Sequence, residues 1–255
     1  MSERQRTWPR WLEQLKSQQL WPIVAVLLIA GAVWAFAEVA DEVNEGEWLT
    51  FDRAILLSLR EPTDLADLKG PIWLQHAARD ITSLGGGTVL TLITAAAIGF
   101  LLLTRKFAPA ILVAASVCGG AVLSSALKIA FARARPDIVP HVVEVYSASF
   151  PSGHAILATT TYLTLGTLLA EVQPNRRVKL YLLGWAVLLS FAIGVSRVYL
   201  GVHWPTDVLA GWCVGSAWAL SCGLVALWVQ RKRGGRALES ETRGKRSRAG
   251  KPLAR

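Results

Sequence analysis

The sequence predicts an all-α membrane protein, a polytopic helical bundle. Of its 255 residues, 53% are hydrophobic and 18% are charged, which is too apolar for an ordinary soluble domain. A helix needs about 20 apolar residues to cross the hydrocarbon core, and about six stretches of the chain approach that length. Because backbone groups in lipid must satisfy each other's hydrogen bonds, we expect these stretches to be helices.

The predicted spans define the domain organisation. They cover residues 21–37, 86–103, 107–127, 154–170, 178–195 and 208–229. The first span ends in AVWAFAEVADE, which weakly resembles a signal cleavage site, but its long basic lead favours a retained helix. We therefore expect a basic cytoplasmic segment (1–20), a six-helix membrane domain (21–230) with an extracytoplasmic loop (41–84), and a disordered basic cytoplasmic tail (231–255).

The positions of the charges predict the orientation. A net charge of +9 suits either nucleic-acid binding or a membrane protein with basic cytoplasmic connections. Basic residues occupy the amino-terminal segment, the connections at 105–106 and 176–179, and the carboxyl-terminal tail, whereas 41–67 is acidic. This alternation follows the positive-inside rule. It predicts both termini in the cytoplasm and no nucleic-acid partner.

The connection between the first two spans predicts a surface helix. Its sequence from residue 60 to 87 is too polar to span, yet Ile72, Leu74, Ala77 and Ile81 recur with helical spacing. The glycines at 85–87 lack the Lys and Ser/Thr of a phosphate-binding loop. They predict a hinge or close helix packing.

Three polar stretches lie at ends of predicted spans. They are KIAFARARP from Lys128, PSGH from Pro151, and SRVYLGVHWPTD from Ser196. The alternation of spans brings all three to the face opposite the basic tails, where the positive-inside rule disfavours Lys and Arg. Ionisable groups near membrane depth are functional candidates, so we expect one shared site.

The residue types of this site suit a dianion. Lys128, Arg135 and Arg197 supply cationic donors, and guanidinium groups bind phosphate oxygens in a bidentate manner. Ser152 offers a hydroxyl, Gly153 permits close approach of a ligand to the backbone, and the start of the following helix adds amide donors.

Two histidines supply the chemistry. If HWPTD enters a helix, the Asp207 carboxylate reaches an imidazole nitrogen of His203 four residues earlier. That contact fixes the tautomer and prepares His203 as a nucleophile. His154 is then available to protonate the leaving oxygen, which predicts a bell-shaped pH profile.

The three stretches together resemble the motif of the type 2 phosphatidic acid phosphatase family, whose superfamily includes glucose-6-phosphatase and the vanadium haloperoxidases. The resemblance covers about residues 85–229 and holds at every motif position. It implies phosphate binding by Lys128, Arg135, Arg197, Ser152 and Gly153, a general acid in His154, a nucleophile in His203 that forms a phosphohistidine, and Asp207 as its partner. Arg133 and His141 are extra residues to which we assign no catalytic role.

The expected function is metal-independent and cofactor-free hydrolysis of a lipid phosphate monoester or diphosphate in the bilayer. Phosphatidic acid, phosphatidylglycerol phosphate, undecaprenyl diphosphate and lipid A phosphates share this chemistry. Two alternatives stay open: a vanadate-dependent haloperoxidase and a non-catalytic phosphate-binding membrane protein. The charge pattern predicts a site on the face opposite the basic tails. In a bacterial inner membrane, where we expect the protein, this is the periplasmic or extracytoplasmic side.

Overall fold

The computed structural model describes residues 10–139 and 147–249, and the side chains of 21–139 and 147–232, so His141 lies outside the described residues. The described chain is mostly helical, which confirms the predicted fold class at that level. The helices are α1 (Arg10–Glu45), α2 (Leu49–Ser58), α3 (Ile72–Ser83), α4 (Gly87–Leu103), α5 (Phe107–Phe131), α6 (Gly153–Glu171), α7 (Arg176–Tyr199) and α8 (Pro205–Ala249).

Four helical segments of the described chain are long and apolar enough to cross a membrane. They are Trp21–Glu45, Phe107–Phe131, Arg176–Tyr199 and Pro205–Lys232. The pair α3 and α4, bent by 49°, qualifies as a fifth span if both helices act together. Helix α6 is less apolar than these segments, since threonines interrupt its sequence. Six spans therefore remain a prediction.

Helix α6 lies at the centre of the bundle, against α4, α5, α7 and α8. Its threonines at 159, 160, 161 and 164 are buried inside the protein. The GWCVG stretch of α8 makes a close approach to it, because a Cβ on Gly211 would lie 2.7 Å from Ala155 Cβ and one on Gly215 2.8 Å from Ile156 O. The small residues thus hold the starts of α6 and α8 together.

The connection between α1 and α4 contains a helix where we predicted one, and one feature that we did not predict; the position of that helix on the membrane surface stays a prediction. Helix α3 covers Ile72–Ser83, with Ile72 and Trp73 exposed. Before it, β1 (Arg60–Glu61) and β2 (Asp64–Leu68) form an antiparallel hairpin. The strands are too short and polar to show a periodic pattern.

The glycine run produces both a bend and close packing. The chain turns by 49° between α3 and α4, across the break at 84–86. A Cβ on Gly85 would lie 2.4 Å from Ile193 Cγ2 of α7, so only glycine fits there without rearrangement.

Helix α8 departs from the expected disordered tail. It continues as a helix to Ala249, whereas the sequence predicts disorder from residue 231. The composition explains the difference, because Arg, Ala, Leu, Glu and Lys are strong helix formers even where a segment has too few apolar residues to pack. Residues 250–255 lie outside the described chain.

The antiparallel order of the last helices gathers four helix ends. Helices α5 and α7 finish, and α6 and α8 begin, at the same end of the bundle. Phe150, just before α6, packs there on Val39 and Ala40 of α1 and on Ala210 of α8. The three polar stretches therefore share one end of the molecule.

Candidate active site

The end of α5 leads directly into the site. Lys128 lies in the last turn of the helix, and its carbonyl accepts a hydrogen bond (3.0 Å) from the amide of Ala132. Ala132 adopts a left-handed conformation (φ 45°), which terminates the helix. The irregular segment that follows carries Arg133 and Arg135 to the start of α8, where they contact different groups.

His203 and Asp207 form a buried pair at the start of α8. His203 Nδ1 lies 3.2 Å from Asp207 Oδ2, which also accepts the amide of Trp204 at 2.9 Å. The Ser149 hydroxyl donates to the same oxygen. Because a carboxylate only accepts, the network assigns the proton of the neutral imidazole to Nδ1 and leaves a lone pair on Nε2.

The free nitrogen of His203 faces Arg135. Arg135 Nη1 lies 3.2 Å from Nε2 and donates to Val202 O at 2.6 Å, while its Nε donates to Ser147 O at 2.8 Å. Burial lowers the pKa of His203 to about 4, against the opposing effect of Asp207. His203 is therefore neutral at neutral pH. Burial also lowers the pKa of Arg135.

Lys128 and Arg197 approach the same place from α5 and α7. Lys128 Nζ donates to the carbonyl of Ala148. Arg197 is buried, and its Nη1 donates to Thr82 Oγ1 of α3 at 3.0 Å. Within the residues described, Lys128, Arg135 and Arg197 form no ion pair with a carboxylate, and Arg197 Nε has no hydrogen-bond partner.

The PSGH stretch supplies the start of α6. Ser152 is its N-cap: the hydroxyl accepts from Ala155 N at 3.4 Å, and the Ser152 amide donates to Asp207 O at 2.9 Å. A Cβ on Gly153 would lie 3.3 Å from Ser124 Oγ and 3.4 Å from Lys128 Cε, so the backbone at Gly153 packs closely against the end of α5. The amides of Gly153 and His154 belong to the first turn, which has no intrahelical acceptors for them.

His154 lies near the other site residues. It interacts electrostatically with Arg197, His203, Arg135 and Lys128. Its Cδ2 is 3.4 Å from the position that a Cβ on Gly85 would take, so the bend before α4 borders the site. All the residues that the three motifs predict thus lie in one cluster. Across the described chain, His, Cys, Asp and Glu form no group of three suited to a metal ion.

The structure adds residues that the sequence did not indicate. Asp52 of α2 is buried and accepts from Arg133 Nη2 at 2.9 Å, while Arg133 Nη1 donates to Asp207 Oδ1 at 2.7 Å. Thr206 also donates to Asp52, through its amide at 3.0 Å and its hydroxyl at 2.6 Å. Burial raises the pKa of Asp52, and these hydrogen bonds oppose the rise. The only sequence signal was Arg133, the first arginine of ARARP.

Comparison with known proteins connects this geometry to a family. The sequence model of the PAP2 superfamily matches residues 109–233, which contain all three motifs. Phosphatidylglycerophosphatase B of Bacillus subtilis is 35% identical over 147 residues, covering 56% of this chain and 70% of that protein. An undecaprenyl-diphosphatase of Sulfolobus acidocaldarius is 43% identical over 68 residues, covering 27% of this chain and 29% of that protein.

A solved structure shows the same arrangement of helices. The crystal structure of a transmembrane PAP2-type phosphatidylglycerolphosphate phosphatase from Bacillus subtilis superposes with a TM-score of 0.69 at 26% identity. The match covers 76% of this chain and 94% of that one. Together with the apolar helices, this likeness makes the protein an integral membrane protein. By sequence and by fold, the chain belongs to the PAP2 superfamily.

Proposed function

We propose that this protein is an integral-membrane phosphatase that hydrolyses a lipid phosphate monoester or diphosphate through a phosphohistidine on His203. The observation that carries the proposal is the surroundings of His203 Nε2. This nitrogen holds a lone pair and faces the Arg135 guanidinium at 3.2 Å. It lies beside a cluster of cations that have no carboxylate partners in the described chain. A phosphoryl group supplies the missing negative charge.

The first displacement transfers the phosphoryl group to the enzyme. Lys128, Arg135 and Arg197 hold the phosphate oxygens, and the first amides of α6 add donors. His203 Nε2 attacks phosphorus as the bond to the lipid oxygen breaks, while Asp207 stabilises the charge that develops on the ring. His154 donates its proton to the leaving oxygen, and the approach of a dianion favours the imidazolium form of His154.

The second displacement releases phosphate. Neutral His154 takes a proton from a water molecule, whose oxygen attacks phosphorus as the bond to His203 Nε2 breaks. Inorganic phosphate leaves, and both histidines return to their starting protonation states. In this scheme the three cations neutralise the charge on the transferring group, a task that metal ions perform in many phosphoryl-transfer enzymes.

The position of the site suits a substrate that stays in the bilayer. Its residues lie at helix ends, where a headgroup phosphate reaches them while acyl or prenyl chains remain in lipid. The relatives named above act on phosphatidylglycerol phosphate and undecaprenyl diphosphate, so these are the first substrates to test. With six spans and cytoplasmic termini, the site faces the periplasmic side of a bacterial inner membrane.

Phosphate release by the purified protein in detergent tests the proposal. The panel contains phosphatidic acid, phosphatidylglycerol phosphate, undecaprenyl diphosphate and a lipid A phosphate, each in excess EDTA. We expect turnover of at least one lipid, lost in His203→Ala and retained in His76→Ala, which alters an exposed histidine of α3.

Three results contradict the proposal. Equal turnover by His203→Ala and the parent removes His203 as nucleophile. Complete loss of activity in EDTA, with recovery on addition of magnesium, removes the metal-independent mechanism. Silence of the parent on every lipid favours a phosphate-binding role without catalysis.

A further inference from the structure

Asp207 is held from two sides, one for each carboxylate oxygen. Oδ2 faces His203 Nδ1 and the Trp204 amide, whereas Oδ1 accepts from Arg133 Nη1 at 2.7 Å. The orientation of the carboxylate plane, and therefore the direction of Oδ2, depends on both contacts. Arg133 is the side chain that fixes the side away from the histidine.

Arg133 is in turn anchored by Asp52. Its Nη2 donates to Asp52 Oδ2 at 2.9 Å, and Asp52 is fully buried. The donors that reach Asp52 are all N–H or O–H groups, of Arg133 and Thr206, which suits a carboxylate acceptor. Arg133 also lies over the ring of Trp204, with Cζ 5.5 Å from its centroid. The guanidinium is thus fixed by Asp52, Asp207 and the residue that follows His203.

This arrangement joins parts of the chain that are distant in sequence. Asp52 belongs to α2, which precedes the residues that match the family model (109–233). Arg133 lies in the segment after α5, and Asp207 lies in α8. A guanidinium that bridges two carboxylates has a defined plane, which a lysine ammonium does not reproduce. The geometry therefore specifies arginine at 133 and an acceptor at 52.

We infer that Asp52 and Arg133 are positioning residues that orient Asp207 and, through it, His203 for attack on the phosphoryl group. The inference rests on the proposed function, because it assigns a task to these residues only if His203 is the nucleophile. Neither residue is among the phosphate ligands of the proposed mechanism. Both set the direction and charge of the carboxylate that His203 needs.

The charges of Arg133 and Asp52 shift the pKa of His203 in opposite directions. Arg133 partly neutralises Asp207, so removal of Arg133 strengthens the attraction of Asp207 for protonated His203 and raises the pKa of His203. Removal of Asp52 leaves the positive charge of Arg133 less compensated, which lowers the pKa of His203. The groups that face His203 are Asp207 from α8, Arg135 and Ser149 from the segments between α5 and α6, His154 from α6 and Arg197 from α7.

The test measures kcat, KM and the acid limb of the pH profile for Arg133→Gln, Arg133→Lys and Asp52→Asn. The substrate is the lipid of the panel that the parent hydrolyses fastest, in detergent micelles. Loss of positioning predicts a fall of about 10- to 100-fold in kcat for Arg133→Gln, with KM within about twofold. Its acid limb moves to higher pH by about half a unit, and that of Asp52→Asn moves to lower pH.

Arg133→Lys separates charge from geometry. It keeps the positive charge but loses the two-sided bridge, so we expect reduced kcat with an acid limb close to that of the parent. Arg53→Gln and Asp67→Asn, at exposed positions, serve as matched controls with parental kinetics. Thermal unfolding of each variant identifies any that fails to fold. If Arg133→Gln does not fold, Arg133→Lys and Asp52→Asn test the inference in its place.

The outcomes separate this inference from the proposed function. If folded Arg133 and Asp52 variants keep parental kcat and acid limbs while unfolding at lower temperature, the residues only stabilise the fold and the inference is wrong. His203→Ala is measured in parallel. If His203→Ala is inactive while the Arg133 variants are unaffected, the proposed function stands and the positioning role is wrong. If His203→Ala is active, both are wrong.

Discussion

The two arginines of ARARP lie two residues apart and have opposite surroundings. Arg133 bridges the carboxylates of Asp52 and Asp207, whereas Arg135 bonds to the carbonyls of Val202 and Ser147 and faces His203. We call the first group, Asp52, Arg133 and Asp207, the paired cluster. The second group, Lys128, Arg135 and Arg197, is the unpaired cluster.

The contrast shows how a protein in a membrane separates structure from function. Charges removed from water are costly unless they are paired, so a paired cluster preserves geometry. Cations without a counter-charge destabilise the empty site and gain most when an anion arrives. In the proposed function, the unpaired cluster is the part of the site that binds phosphate, and in our further inference the paired cluster keeps the nucleophile in place.

The largest expected effect follows from the loss of an unpaired cation. Arg197→Gln should lower kcat/KM by about 1,000-fold, because a fixed donor to the transferring phosphoryl group is lost. The thermal midpoint of the ligand-free protein should not fall, since the substitution removes a buried charge that has no ionic partner in the described chain. Lipid hydrolysis and thermal unfolding in detergent measure the two effects. A large fall in the midpoint would place Arg197 among the groups that stabilise the fold.

The paired cluster should respond in the opposite way. Asp52→Ala removes the acceptor of Arg133 Nη2 and of both donors of Thr206, which should destabilise the protein by about 3 kcal/mol. Thermal unfolding measures this loss, with Asp67→Ala as an exposed control. An unchanged midpoint in Asp52→Ala would show that the buried pair contributes no net stability.

Anion binding should distinguish the clusters directly. Orthovanadate resembles phosphate, and at 100 times its Kd a ligand stabilises the folded state by about 2.7 kcal/mol. We expect vanadate to raise the thermal midpoint of the parent and of Arg53→Gln, but not that of Arg135→Gln. An equal rise in Arg135→Gln would show that the anion binds elsewhere.

The smallest effect concerns pH. Burial lowers the pKa of His203 to about 4, so the ring keeps the Nε2 lone pair above that pH and loses it below. The acid limb of kcat/KM attributable to His203 should therefore appear near pH 4, with a tenfold loss per further unit. The lowered pKa also affects the free energy of unfolding. As the pH falls from the ordinary pKa of histidine toward 4, the unfolded chain binds a proton at His203 that the folded chain does not, so the folded protein becomes less stable. A His203 limb near pH 6.5 would show that burial does not control this group.

Local patterns in the sequence predicted much of this architecture. Long apolar stretches predicted the helices of the four candidate spans, and helical spacing of apolar residues predicted α3. The assumed alternation of spans brought Lys128, His154 and His203 to one end, where the structure also has them, while the count of six spans stays a prediction. The hairpin of β1 and β2 is too short to leave a pattern. Helix α8 extends past the predicted boundary because helix propensity acts where packing does not.

The paired cluster was beyond the reach of sequence reasoning for a different reason. Asp52 lies in an acidic segment whose members all suited the extracytoplasmic side, and nothing in its neighbours marks it as buried. Only the packing of α2 against the start of α8 brings it to Thr206 and Arg133. A long-range contact of this kind depends on tertiary structure, and Arg133 could be interpreted only once Asp52 was in view.

Capture of the intermediate tests the central claim most directly. The parent is mixed with a lipid carrying a radiolabelled terminal phosphate and quenched in alkali, where phosphohistidine is stable, and the labelled peptide is identified by mass spectrometry. We predict label on His203, absent in His203→Ala and accumulated in His154→Ala when a lipid with a good leaving group is used. Burst-phase turnover without label on His203, or label on another residue, would contradict the account.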